Sequence, residues 1–261
     1  ILLAGFPCQP FSAAGIKRGF DDTRGTLFFN IKEILRIKRP NTFLLENVKG
    51  LTGHDKGKTF NIILRELEQI GYKVFYKVLS AKDFGLPQNR QRLFIIGFLD
   101  GGNEFQFPKP TYSKTQVGSI LEKKVSDKYT LSDKLWAGHK RRKKEHARKG
   151  NGFGYSLFNK NSEYTNTISA RYYKDGSEIL IEQKNKNPRR LTPRECARLQ
   201  GFPDNFAIPV SDTQAYKQFG NSVPVNVIKH IAYEIIKELN LLNQKRSRKT
   251  YQIQQETSLH L

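Results

Sequence analysis

The sequence predicts an α/β fold, and three observations carry that prediction. Apolar runs of strand length recur at 1–4, 42–46 and 93–98. Segments with apolar residues at helical spacing lie between them, at 26–38 and 60–70. Glycine, proline or polar residues stand at each change of period, giving the βαβ alternation of a doubly wound sheet.

Ile1 to Ala4 reads as a buried strand that Gly5 and Pro7 end, because proline cannot donate to a sheet ladder. Cys8 then lies just past the carboxyl end of a strand, where open α/β sheets carry ligands. From Gln9 to Gly25 no periodicity follows, only glycines, Ser12 and charges, which reads as a long loop. Leu27, Phe28, Ile31, Ile34 and Leu35 form the stripe of a first helix over Thr26 to Lys38, closed by Pro40. Thr42 to Glu46 is the next strand and ends on an acid. Phe60, Ile63, Leu64, Leu67 and Ile70 mark a second helix stopped by Gly71. Tyr72 to Leu79 is a third strand, and Leu93 to Phe98 a fourth, preceded by Arg90 and Arg92. At i and i+2 of extended chain the two arginines share a side and could reach one ligand.

Periodicity fades from about Pro108 to Arg190, where lysine, glycine and polar residues dominate. The run from His139 to Lys149 is densely basic, and such runs are solvated, disordered or phosphate-binding. Residues 164–172 alternate like a strand. Regularity returns at Leu191. Thr192 and Glu195 form a capping box with Pro193 at the first helical position, and Cys196 falls on that helix's inner face as a structural thiol. A last helix runs to about Leu241, followed by a polar basic tail over 243–261.

Taken alone, Cys8 could equally be a buried thiol, and Glu46 a surface acid closing a strand. Their surroundings change that. Gly5-Phe-Pro-Cys-Gln-Pro-Phe-Ser12, then Glu46-Asn-Val48, Gln88-x-Arg90-x-Arg92, and Phe219-Gly-Asn-Ser-Val-Pro224 resemble, in order, the motifs of the DNA cytosine-C5 methyltransferases of bacterial restriction-modification systems.

The resemblance implies a Rossmann-like, S-adenosylmethionine-dependent methyltransferase sheet with a smaller target-recognition domain. It divides the chain into a first catalytic part (1–108), a recognition domain (109–190), a closing catalytic segment (191–242) and the tail. It implies transfer of a methyl group from S-adenosylmethionine to carbon 5 of a flipped-out cytosine in double-stranded DNA, through a covalent Cys8 intermediate. Glu46, Arg90 and Arg92 would serve the base. Gly5, Phe6, Pro7, Asn221 and Ser222 would border the cofactor. Gln9, Ser12, Arg24, Phe153 and Thr167 would meet DNA. No metal is expected. By analogy with bacterial relatives, a restriction endonuclease would act on the same DNA site without needing to bind this chain. The alternatives are the DNA-binding half or an inactive fragment of a split methyltransferase, an RNA cytosine methyltransferase and, more remotely, a cysteine hydrolase.

Composition bears on the partner. Lys plus Arg is 45 against 24 Asp plus Glu, a net charge of +21 that favours a polyanion. Two cysteines make no disulfide framework and suit a reducing bacterial cytoplasm. No apolar run approaches the roughly 18 residues of a membrane span. The chain has no Met and begins inside a strand, without the family's glycine-rich cofactor loop and ribose-binding acid. It is therefore expected to be a fragment, or one half of a larger protein whose missing part a second polypeptide could supply.

Overall fold

The computed structural model describes residues 1–6, 26–102, 104–152 and 154–258. A four-stranded sheet contains β1 (Leu2–Gly5), β2 (Thr42–Val48), β3 (Lys73–Ser80) and β4 (Gln91–Phe98), in the order β1-β2-β4-β3. β1 runs parallel to β2 with Gly5 opposite Glu46, and β4 runs antiparallel to β2 with Val48 opposite Arg92. The α/β class therefore holds, with β4 reversed. Residues 81–90, between β3 and its neighbour β4, are fewer than the dozen or more that a parallel crossover takes.

The chain forms two compact units. The first holds Ile1–Leu79, Gln91–Pro108 and His230–Leu261; the second holds Ser80–Arg90 and Lys109–Lys229. In the first, α1 (Thr26–Lys38) and α2 (Lys58–Gln69) supply Phe28, Ile31, Leu35, Ile63 and Leu67 to a core shared with Phe43, Leu45, Leu93 and Ile95 of the strands. Gly97 is required there, because a Cβ would lie 2.1 Å from the Phe43 ring. Three of the five stripe residues of α1, Phe28, Ile31 and Leu35, are buried. Leu27 and Ile34 are exposed, as are Ile37 on α1 and Ile1 and Leu3 at the β1 edge.

The second unit contains α3 (Asp133–Arg148), a small sheet of β5 (Leu157–Phe158), β6 (Leu180–Gln183) and β7 (Lys186–Arg189), then α4 (Pro193–Leu199) and α5 (Asp212–Asn221). The capping box on α4 forms as expected, and Cys196 is buried, its thiol pushed well up by loss of solvent. Glu195, wholly buried, accepts two bonds from Arg189, at 2.7 and 2.8 Å, and the backbone N–H groups of Thr192 and Glu122.

The compact units do not follow the expected functional segments. Residues 191–229 cluster with 109–190, because Leu191, Leu199 and Phe219 share one core with Val117, Ile168 and Ile181. The basic run is helical in α3, whose N-terminus is capped by the Ser132 hydroxyl accepting from Leu135 N–H. Residues 164–172 form no strand, only an isolated bridge from Thr165 to Gln88. The last helix, α6 (Val225–Ser258), continues well past Leu241 into the expected tail.

Three long polar side chains join the second unit's separate stretches. Gln88 accepts from the Ile168 N–H at 3.0 Å and donates to the Leu199 carbonyl at 3.1 Å. Gln200 donates to the Phe219 carbonyl at 2.6 Å. Arg90, 2% exposed, donates to the carbonyls of Ile168, Gly220 and Ser222 at 2.8–2.9 Å. Gly220 permits this approach, since a Cβ would come within 2.3 Å of the Ser169 backbone. Each buried carbonyl left unsatisfied costs about 1–3 kcal/mol. Arg90→Leu should therefore lower unfolding stability by roughly 3 kcal/mol or more in urea titrations, and a loss below about 1 kcal/mol would contradict this role.

Candidate active site

A carboxylate at the end of a parallel strand becomes useful when the neighbouring strands bring it a cation and an open approach. Gly5 pairs with Glu46 in register, and a Cβ on Gly5 would meet the Glu46 carboxylate at 3.6 Å. From the other side Arg92, diagonal to Glu46 across β2 and β4, places its Nε 3.0 Å from Glu46 Oε1. Both side chains are mostly buried, at 15% and 21% exposure. Burial lowers the Arg92 pKa, while the Glu46 charge works in the opposite direction. The guanidinium also donates to the Gln91 carbonyl at 2.8 Å, which fixes its fork.

Asn47, to which the sequence reading gave no role, is buried and donates to the Phe6 carbonyl at 2.8 Å. It ties the end of β2 to the chain leaving β1, just ahead of the Cys8 motif. Asn47 directly follows Glu46 in the Glu46-Asn-Val48 motif, which was the available signal.

The two arginines expected to share a ligand have different partners in the structure. The Arg90 guanidinium is fully buried and committed to three carbonyls of the second unit, whereas Arg92 belongs to the first unit and faces Glu46. The structure thus joins Gly5, Glu46 and Arg92 in one unit, and Arg90 with Ser222 in the other. Thr167, half-buried, donates its hydroxyl to the Asn89 carbonyl at 2.8 Å. Pro7, Cys8, Gln9, Ser12, Arg24 and Phe153 lie outside the described residues.

S-adenosylmethionine presents an adenine, a ribose diol and a sulfonium, and the residues expected to border it offer little of what these need. The Phe6 ring is in the core, 5.6 Å from that of Phe28. Ser222 gives its carbonyl to Arg90 and its hydroxyl to the Phe219 carbonyl, and Asn221 is exposed. The carboxylate beside Gly5 is held by Arg92. Gly5, Phe6, Asn221 and Ser222 therefore do not by themselves fit the cofactor.

The model of the family described as C-5 cytosine-specific DNA methylase matches residues 1–237. The chain is 64% identical over 243 residues to the type II methyltransferase M1.ScrFI of Lactococcus lactis subsp. cremoris, covering 92% of this chain and 62% of that protein. It is 64% identical to M.SsoII of Shigella sonnei, covering 92% and 64%, and so spans a little under two thirds of these relatives. Against M.HpaII of Haemophilus parainfluenzae the identity is 45%, over 93% of this chain and 73% of the other. Among solved structures, the Entamoeba histolytica methyltransferase EhMeth and the S. pombe Dnmt2 methyltransferase each superpose with a TM-score of 0.71 at 21% identity. They cover 91% of this chain and 77% and 79% of theirs, and support the fold alone. The chain belongs to the C-5 cytosine-specific DNA methylase family.

Proposed function

We propose that this chain activates cytosine in double-stranded DNA for methylation at carbon 5. The observation that carries the reading is the Glu46–Arg92 pair beside Gly5, where the chain leaves β1 toward the Cys8 motif. Carbon 5 of an aromatic pyrimidine is a poor nucleophile. Addition of the Cys8 thiolate at carbon 6 breaks the aromaticity and moves an electron pair onto carbon 5. Glu46, carrying a proton when the base is bound, donates it to N3 and so offsets the negative charge that develops there. Arg92 orients that carboxylate and contacts the base. S-adenosylmethionine, held by further polypeptide, would supply the methyl group and leave as the neutral thioether S-adenosylhomocysteine; loss of the carbon-5 proton to a base and expulsion of the Cys8 thiolate would restore the ring.

A stacked cytosine is out of reach of such a site, so the base must swing out of the duplex. We assign Gln9, Ser12 and Arg24 to the loop that meets the extruded nucleotide, residues 109–190 to target recognition, Thr167 to the nucleotide backbone and Phe153 to the vacated space. The uncovered apolar edge at Ile1, Leu3, Leu27 and Ile34 supports docking of further polypeptide that completes the cofactor site. That polypeptide is either continuous with this chain or a separate subunit.

Thiol addition can be read without the methyl donor, because carbon 5 of the adduct exchanges its hydrogen with solvent. With duplex DNA tritiated at cytosine carbon 5, we expect Cys8→Ser to abolish exchange and Glu46→Gln to slow it about 10²–10⁴-fold. Cys196→Ser should exchange normally. Unchanged exchange in Cys8→Ser would rule out the nucleophile assignment. By calorimetry the 261-residue chain alone should bind S-adenosylmethionine weakly or not at all. Micromolar affinity, about −8 kcal/mol, would show that the present residues suffice.

A further inference from the structure

We infer that the outer face of α3 is a rail for the phosphate backbone of duplex DNA, contributing affinity without reading sequence. The inference rests on the duplex-DNA reading above. Lys140, Lys144 and Arg148 stand at i, i+4 and i+8, about 6 Å apart along the axis at 1.5 Å per residue, and border one open hollow with Tyr155. Like charges at i,i+4 destabilise a helix, and this column repeats the conflict twice. A line of anions relieves it.

The inward side of the same helix is built differently. Arg142 pairs with Asp175 at 3.2 Å and donates to Nδ1 of the buried His139 at 3.0 Å, so that imidazole carries its proton on Nε2. Burial lowers the His139 pKa, against the raising influence of Asp175. These contacts anchor the helix and keep Arg142 out of the column.

Two cations of this face, Lys143 beside the column and Lys140 within it, are already held over aromatic rings. Lys143 lies 4.3 Å from the centre of the Tyr155 ring, and Lys140 lies 5.5 Å from that of Trp136. The two rings meet edge to face at 4.6 Å. Side chains fixed over aromatic surfaces lose less freedom when they meet an anion. The acid within this stretch, Glu145, faces Arg141 at 3.6 Å. The lysine ammonium groups act as point charges suited to phosphate, and the Arg148 fork matches phosphate oxygens as well.

Trp136 is the sole tryptophan, so its emission reports directly on this face. The test compares the full chain with a K140A/K144A/R148A variant, its fold checked by circular dichroism, on two unrelated duplexes between 50 and 200 mM salt. Wild type should bind both duplexes with a steep log–log salt slope and a salt-reversible change in Trp136 emission. The variant should lose affinity equally on both, with the slope reduced by roughly 0.9 per lost contact. Arginine at all three positions should restore the slope. An unchanged slope in the variant, or a loss confined to one duplex, would overturn the rail. Absence of duplex binding by wild type would overturn the DNA reading along with it.

Discussion

The register of β2 between β1 and β4 is the constraint on which the site depends. A parallel neighbour on one side and an antiparallel one on the other bring the end of β1 and the start of β4 to the same end of β2. Gly5, Glu46 and Arg92 meet there, and because side-chain direction alternates along each strand, a one-residue slip would turn Glu46 to the opposite face. The apolar residues of β2 hold the register: Phe43 fills the space that Gly97 leaves free, and Leu45 is fully buried. The chemistry is thus positioned by core packing several residues away from it.

The second unit solves a different problem. Its segments come from distant parts of the chain and share little regular sheet, so side chains do what ladders do elsewhere. Gln88, Arg90 and Gln200 satisfy backbone groups that would otherwise be buried unpaired. A buried guanidinium with three carbonyl partners specifies one arrangement, since any shift of the Ile168 or Gly220 segment breaks a charged hydrogen bond. Two arginines two positions apart in a single motif thus have unlike partners, Arg90 backbone carbonyls and Arg92 the Glu46 carboxylate.

The elements of the first unit were legible because apolar spacing decides them: Phe28, Ile31 and Leu35 are buried as their period requires. Direction was not legible, since an apolar run such as Leu93–Phe98 reads the same whether parallel or antiparallel. Helix α3 was obscured because its inward face carries His139 and Arg142 in place of an apolar stripe. Glu46 and Arg92 were visible through their motifs, but Arg90 looked equivalent to Arg92, because spacing in extended chain says nothing about which carbonyls lie nearby. Phe6, expected beside a cofactor, has a ring whose apolar area is used in the core.

On the proposed function, Glu46 and Arg92 act on the base as one unit. A double-mutant cycle on the rate of carbon-5 hydrogen exchange, comparing wild type, Glu46→Gln, Arg92→Leu and the double variant, tests it most directly. Residues in contact couple by about 0.5–3 kcal/mol, so the double variant should lose much less than the product of the single losses. Additive losses, within about 0.5 kcal/mol, would mean that the two side chains act independently and would contradict the account.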